Sequence, residues 1–327
     1  MLSLPTNAAY VLMTAMAVLM AAGVIRFVDA RRAQTSEAKA RLGSIIVWWV
    51  LVGLMLLAVS AGSSGATALT ALASWLALRE YLGLTNSRFQ YGGSRYLAYA
   101  IGALHFGLFV AGGWRIACLT TPLLTVVAGS VWMTASGRTS GYLEVVGSLL
   151  WAVMLTVVGL SHAAFLWTLP EAANPDCGGA GWFIYLLLLT QLNDIAQALW
   201  GRALGRHRVT PRISPGKTWE GLLLGVATTV VLAVLLAPVL TPLAEPLNRE
   251  QFGPLAIPYL PAAAAGLVIG LGGFAGDLNI SAMKRDLGVK DSGNLLPTQG
   301  GVLDRLDSLT FAAPLFFYYV NALYGHI

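Results

Sequence analysis

Three aspartates lie close together near the C-terminal end of the chain. Asp304 and Asp307, three positions apart at a predicted helix start, share one face of that helix. Asp277 lies at the end of the preceding apolar run. Carboxylates that meet at one site stay ionised together only when a cation lies between them. Hard oxygen ligands with water at hand favour magnesium, so these aspartates are the predicted ligands of one or two Mg²⁺ ions.

The apolar run that contains Asp277 is predicted to be a helix over residues 262–285. On such a helix Asp277, Ser281 and Lys284 lie on one face, because they are spaced by four and three residues. Each residue alone has a structural interpretation, since aspartate favours helix amino ends and lysine marks a cytoplasmic loop. Their concentration around Gly300-Gly301, where backbone can close on a ligand, favours a catalytic site.

A second polar segment begins with Asn193-Asp194, at the end of an apolar run. An aspartate at the centre of a membrane helix costs roughly 2.5–3.5 kcal/mol, so Asp194 is expected to face a partner or a wet cavity. Pairing with Arg202 or Asn193 is the structural alternative. Thr218 is the predicted cap of the next helix, with Glu220 in its first turn. Because helix amino ends beside cations bind phosphate, the predicted phosphate-binding residues are Arg212, Ser214, Lys217 and Thr218.

The composition predicts an all-α, polytopic integral membrane protein. Of 327 residues, 57% are hydrophobic and 11% are charged, against roughly 25% charged in soluble domains. The first apolar run lacks a preceding basic region and is expected to be a retained helix. Cys118 and Cys177 are not expected to form a disulfide. Ten membrane helices and no soluble domain are predicted, near residues 8–25, 42–60, 65–82, 97–112, 116–135, 145–168, 181–201, 220–240, 259–283 and 306–323.

The basic residues predict how these helices are oriented. All 20 Lys and Arg residues except Arg115 and Arg249 fall in alternate loops, and such loops stay on the cytoplasmic side. Both termini, residues 171–180 and residues 241–253 are then expected outside. The net charge of +5 reflects these loops, and no nucleic-acid-binding face is predicted. The loops predicted to be cytoplasmic are residues 26–41, 79–96, 136–144, 202–219 and 284–305.

A family resemblance rests on the run from Ser281 to Asp307, which reads Ser-x-x-Lys-Arg-x4-Lys-Asp-x-Gly-x3-Pro-x-x-Gly-Gly-x-x-Asp-Arg-x-Asp. This run resembles the signature of the phosphatidate cytidylyltransferase (CDP-diacylglycerol synthase) family. The stretch from Asn193-Asp194 to Glu220 is similar to a second region of that family. The resemblance covers roughly residues 180–325. It departs at Gln299, where the family pattern has a histidine.

The resemblance implies that the chain forms CDP-diacylglycerol and pyrophosphate from CTP and phosphatidate, with Mg²⁺ as the cofactor. The expected setting is the bacterial inner membrane, with the active site on its cytoplasmic side. Bilayer lipid is an expected partner, and a homodimer is left open. Residues 1–170 are expected to be N-terminal transmembrane helices, and residues 171–327 the catalytic region. The catalytic residues implied are Asp277, Ser281, Lys284, Asp304 and Asp307. The substrate-binding residues implied are Asn193, Asp194, Arg212, Ser214, Lys217, Thr218, Arg285, Lys290, Asp291, Gln299, Gly300, Gly301 and Arg305.

Two alternatives remain beside this interpretation. One is a related cytidylyltransferase that acts on a different lipid phosphate. The other, from a different class, is a secondary transporter, which would more often show two pseudo-repeated halves with broken helices at the midplane. In this chain the polar residues instead lie in the last third, towards one face, which favours the enzyme.

Overall fold

The computed structural model describes residues 5–33, 49–89, 92–247, 253–295 and 300–325. Every apolar run predicted from the sequence contains a helix within these ranges, so the predicted helical architecture is confirmed. The helices are α1 Thr6–Ala33, α2 Trp49–Ser60, α3 Gly62–Phe89, α4 Ser94–Gly112, α5 Trp114–Ala135, α6 Tyr142–Val153, α7 Leu160–Phe165, α8 Gly178–Leu204, α9 Trp219–Leu240, α10 Leu260–Asp286, α11 Leu303–Leu306 and α12 Leu309–Tyr324.

Within the described ranges, five helical segments are long and apolar enough to cross a bilayer. The chain is therefore an integral membrane protein, whereas the predicted count of ten spans is not confirmed. A helix needs about 20 apolar residues to span the hydrocarbon layer, and several of the other helices are shorter or carry more polar residues. The five segments are Thr6–Ile25, Trp114–Ala135, Tyr142–Thr168, Trp219–Leu240 and Leu260–Asp286.

The segment between α6 and α7 is a π-helix, Met154–Gly159. It is buried, and a Cβ on Gly159 would lie 2.7 Å from the carbonyl oxygen of Thr310. The backbone of this segment therefore packs directly against the start of α12. This close approach joins the N-terminal helices to the C-terminal region, and the two regions share one apolar core.

A short β-hairpin interrupts the all-helical architecture that the sequence predicts. Strands β1, Arg208–Thr210, and β2, Ser214–Thr218, pair antiparallel between α8 and α9. The predicted cap is confirmed, since Thr218 Oγ1 accepts a hydrogen bond from the Gly221 amide at 3.1 Å. Glu220, in the first turn of α9, accepts hydrogen bonds from the amides of Arg206 and His207. The hairpin is thus fixed to the amino end of α9.

The hairpin and the end of α10 lie at the same end of the helical bundle. Arg285 Nε donates to the carbonyl oxygen of Ile213 in the hairpin turn at 3.1 Å. Arg88, at the end of α3, forms an ion pair with Asp286. Three of the loops predicted to share one membrane face are therefore brought together. We call this the hairpin end of the molecule.

At the opposite end of the bundle, the segments predicted to lie outside come together. The side chain of Asn174 donates to the carbonyl oxygen of Leu240 at 2.9 Å. Cys177 Sγ lies 3.5 Å from the carbonyl oxygen of Val239. Both cysteines of the chain are free. The grouping of loops at the two ends agrees with the alternation that the basic residues predict.

Candidate active site

Helix α10 presents the predicted row of polar residues at the hairpin end. Ser281 Oγ donates to Asp277 Oδ1 at 3.3 Å, one helical turn apart. Lys284, in the next turn, is buried and donates to Asp304 Oδ1 at 2.8 Å. The predicted helix and its polar face are confirmed. A Cβ on Gly276 would lie 2.5 Å from the carbonyl oxygen of Asp307, so the absence of a side chain there lets α10 approach the segment before α12.

Three aspartates from different elements face one another across this contact. We call Asp194 of α8, Asp277 of α10 and Asp307 the acidic group. Both carboxylate oxygens of Asp194 accept from Ser308 Oγ, at 2.9 and 3.0 Å. Burial, together with the charges of Asp277 and Asp194, raises the pKa of Asp307 well above its usual value. Three carboxyl groups in electrostatic contact resist ionising together unless a cation lies between them.

Lys217, at the end of β2, places an ammonium group beside the acidic group. Its Nζ pairs with Asp277 Oδ2, and both side chains are largely buried. Burial lowers the pKa of Lys217, but the carboxylates of Asp277 and Asp194 raise it by more, so the net shift is upward. Gln197 Oε1 accepts a further hydrogen bond from Lys217 at 3.4 Å. The lysine therefore stays charged and compensates part of the negative charge.

Asp304 lies apart from the acidic group, in a different set of contacts. Besides Lys284, its carboxylate accepts from the amides of Ser292 at 2.8 Å and Gly301 at 3.0 Å. Burial raises the pKa of Asp304, but these hydrogen bonds lower it by more. The sequence groups Asp304 with Asp277 as metal ligands. In the structure its oxygens hold the signature loop, residues 287–302, of which 296–299 lie outside the described ranges. Its role as a metal ligand stays a prediction.

The alternative in which Asp194 pairs with Arg202 is not found. Arg202 Nε donates instead to the carbonyl oxygen of Ala198, within its own helix. Asn193 is fully buried, where its amide bonds the carbonyl oxygen of Gly270 and the hydroxyl of Thr229. These contacts give Asn193 a helix-packing role, and the substrate contact implied by the resemblance stays a prediction.

The remaining predicted residues surround the acidic group or form its rim. Arg285 donates to the backbone at Ile213 and Val289, so it ties the hairpin to the signature loop. Arg305 acts electrostatically on Asp194, and its Nε is buried with no acceptor among the described residues. Gln299 lies outside those residues. The predicted residues at the rim are the exposed Arg212, Lys290 and Asp291, and the partly buried Ser214 and Gly300.

Several residues at this end had no predicted role, among them Gln197, Ser308 and Glu80. Gln197 is buried, and its Nε2 has no acceptor among the described residues. Its position three residues after Asp194, on the same helical face, was a usable signal. Ser308 follows directly after Asp307 and bonds Asp194. Glu80, on α3, contacts the signature loop, and its one signal was a carboxylate inside an apolar run.

Buried carboxylates beside a lysine, at one end of a membrane-spanning helical bundle, are costly to keep and indicate a functional site. Residues 43–323 match the model of the Cytidylyltransferase family. Because this match covers most of the chain, the protein belongs to that family. The resemblance predicted from the signature run is confirmed at this level.

The similar proteins match different fractions of the chain. The uncharacterized protein YnbB of Escherichia coli is 40% identical over 279 residues, which is 85% of this chain and 86% of YnbB. The phosphatidate cytidylyltransferase of Haemophilus influenzae is 38% identical over 136 residues, 42% of this chain and 44% of that enzyme. The phosphatidate cytidylyltransferase of Pseudomonas aeruginosa is 44% identical over 136 residues, 42% of this chain and 46% of that enzyme. The chain thus matches these two enzymes over less than half of their length.

Proposed function

We propose that this member of the Cytidylyltransferase family transfers the cytidylyl group of CTP to phosphatidate, forming CDP-diacylglycerol and pyrophosphate. The observation that carries the proposal is the acidic group with Lys217 beside it, at one end of a membrane-spanning bundle. Phosphatidate stays in the bilayer, whereas CTP is soluble in water. An enzyme that joins them needs its charged site where apolar helices end.

Magnesium is the proposed cofactor. Among the described residues, no three His, Cys, Asp or Glu side chains form a group that would hold a metal ion by themselves. Mg²⁺ is usually held by one or two carboxylates, with substrate phosphates and water completing its shell. The acidic group fits this use, because Lys217 pairs with only one of its carboxylates. The proposed ligands are Asp277 and Asp307, with Asp194 in the place that the sequence assigned to Asp304.

The reaction requires two anions to approach each other. A phosphate oxygen of the lipid attacks the α-phosphorus of CTP, and the bond from that phosphorus to the bridging oxygen breaks, so its electron pair leaves with pyrophosphate. Bound magnesium would neutralise charge on the phosphate oxygens. Lys217 provides a fixed cation beside Asp277, and the exposed Arg212 and Lys290 raise the local concentration of anionic substrates. The attacking phosphate is already ionised at neutral pH, so a neutral Gln299 is compatible with catalysis.

The test follows the cytidylyl group from the nucleotide to the lipid. Purified protein in detergent is incubated with phosphatidate, Mg²⁺ and CTP labelled in the cytosine ring, and lipid-soluble label and pyrophosphate are measured together. We expect the two products in equal amounts. CTP labelled at the γ-phosphate is the matched control, because its label leaves with pyrophosphate and stays in the aqueous phase. Absence of lipid-soluble cytosine label from active-site-intact protein would refute the proposal.

A different phosphorylated lipid is the second candidate substrate. This candidate is favoured because the two phosphatidate cytidylyltransferases match this chain over less than half of its length. The same assay with other lipid phosphate monoesters in place of phosphatidate separates the two candidates. A higher kcat/KM with one of these lipids than with phosphatidate would assign that lipid as the substrate.

The proposed location is the bacterial inner membrane, with the hairpin end in the cytoplasm. This orientation follows from the basic loops and from the position of CTP inside the cell. After replacement of Cys118 and Cys177, single cysteines are introduced as Gly216→Cys in the hairpin and Ala172→Cys at the opposite end. An impermeant maleimide added to whole spheroplasts is expected to label Ala172→Cys and to reach Gly216→Cys only after permeabilisation. The reverse pattern would invert the orientation.

A further inference from the structure

Glu80, on α3 in the N-terminal region, binds the backbone that leads into α11. Its Oε1 accepts from the Val302 amide at 2.9 Å, and its Oε2 accepts from the Leu303 amide at 2.8 Å and from Ser292 Oγ at 3.1 Å. One carboxylate therefore holds the end of the signature loop and a point near its middle. The contact spans more than two hundred residues of sequence.

The signature loop closes tightly over this carboxylate. A Cβ on Gly301 would lie 2.3 Å from Glu80 Oε2, and a Cβ on Gly293 would lie 2.8 Å from Glu80 Oε1. Real Cβ atoms essentially never approach a heavy atom below 3.0 Å. Both glycines belong to the signature run. A side chain at either position would force the Glu80 carboxylate to move from its hydrogen-bonded position.

Glu80 is also connected to α10 through the loop. Ser292 donates its hydroxyl hydrogen to Glu80 and its amide hydrogen to Asp304. Asp304 in turn accepts from Lys284 of α10. A continuous series of hydrogen bonds thus runs from α3 across the signature loop to the polar face of α10. Displacement of Glu80 would loosen every member of this series.

We infer that Glu80 is a positioning residue for the catalytic site, supplied by the N-terminal region. It fixes the entry into α11, and Asp307 of the acidic group follows directly after that helix. The inference rests on the proposed function, because the reaction that Glu80 would support is the proposed cytidylyl transfer. Its structural part, the attachment of the loop to Glu80, stands independently of the substrate. The N-terminal helices are therefore part of the catalytic assembly.

The first experiment compares Glu80→Gln with the neighbouring control Arg79→Gln, which removes an exposed charge from the same helix. Glutamine keeps the size of glutamate, but its amide group places a donor against backbone donors. We expect kcat/KM for CTP to fall about tenfold to a hundredfold, as for the loss of hydrogen bonds to a charged group. Glu80→Asp is expected to recover part of the loss, and Arg79→Gln to match the wild type.

Limited trypsin digestion gives a readout that does not depend on activity. Lys290 lies in the exposed part of the signature loop. We expect cleavage at Lys290 to become faster in Glu80→Gln, with the thermal midpoint of the whole protein close to that of the wild type. Equal cleavage rates in Glu80→Gln and Arg79→Gln would overturn the inference.

A coupling experiment tests the contact itself. Gly293→Ala is expected to be harmful in the wild type, because the added Cβ meets Glu80. In a Glu80→Ala background that clash is absent, so Gly293→Ala should add little further loss of activity or protection from trypsin. Additive losses would contradict the inference. An inactive wild type would refute the proposed function alone, because digestion still reports on the loop. An active wild type with an unaffected Glu80→Gln would refute the inference alone.

Discussion

Two sets of carboxylates at the hairpin end differ in the number of donors around them. Glu80 and Asp304 each accept three hydrogen bonds, from backbone amides, a hydroxyl or Lys284. In the acidic group, Asp277 has two such partners, Lys217 and Ser281. Asp194 and Asp307 each have one, the hydroxyl and the amide of Ser308 respectively. Carboxylates surrounded by donors hold the backbone in place. Carboxyl groups that have fewer donors and lie close to one another remain available for a cation and its phosphate ligands.

The largest effect is expected for a change in the acidic group, and it is an effect on catalysis and not on stability. Asp277→Asn should lower kcat at least a thousandfold, because about 4 kcal/mol of transition-state stabilisation disappears with the metal ligand. The thermal midpoint should stay close to that of the wild type, since relief of charge repulsion offsets the lost pairing with Lys217. Turnover across a range of Mg²⁺ concentrations and melting in detergent measure the two effects. A near-normal rate would remove Asp277 from the proposed ligands.

Asp304→Asn should act on stability as well as on activity. The change leaves Lys284 buried without its ionic partner, for which the typical cost is about 3–5 kcal/mol. We expect a lower thermal midpoint and faster trypsin cleavage at Lys290, in contrast to Asp277→Asn. If Asp304→Asn lost activity with an unchanged midpoint and digestion pattern, Asp304 would belong with the metal ligands, as the sequence first indicated.

A smaller effect is expected for Thr218→Ala, which removes the cap of α9. The typical cost of such a change is about 1 kcal/mol of stability. Thr218→Ser keeps the hydroxyl and should melt close to the wild type. If the alanine variant instead raised KM for CTP severalfold with an unchanged midpoint, Thr218 would be a phosphate-binding residue, in line with the sequence-based prediction.

The smallest effect is expected for Gln299→His. If the attacking phosphate needs no base, this change should keep substantial activity and add little pH dependence between pH 6 and 8. An acid–base histidine would impose an ionisation near its unperturbed pKa of about 6.5. Comparison of pH–rate profiles with the wild type decides between the two. A large gain in rate with a new inflection would place proton transfer at this position.

Local features of the fold were predictable from the sequence. Long apolar runs locate the helices, the threonine before Trp219 locates a cap, and four- and three-residue spacing places Ser281 and Lys284 on the face of Asp277. These features depend on neighbours within one or two helical turns. The β-hairpin was not predicted, because residues 208–218 are basic and proline-containing without the alternation of a strand.

The partners of the carboxylates were not predictable in the same way. Asp304 and Asp307 are three residues apart, yet one bonds Lys284 and the other faces Asp194. Which of them turns towards which helix depends on how α8, α10 and α12 cross, and local spacing does not determine a crossing. The contact of Glu80 with Val302 joins residues far apart in the chain. A single sequence contains no signal for such a pairing.

The π-helical segment Met154–Gly159 has a consequence for insertions and deletions in this chain. A π-turn holds one residue more than an α-helical turn. Removal of one residue there would restore regular α-helix and leave the orientation of the following residues nearly unchanged, because the π-turn already accommodates the extra residue. Ser161 would still face His105, to which it bonds at 2.9 Å. A one-residue deletion is therefore expected to be tolerated better within residues 154–159 than in the regular helices on either side, where it would rotate everything after it by about 100°.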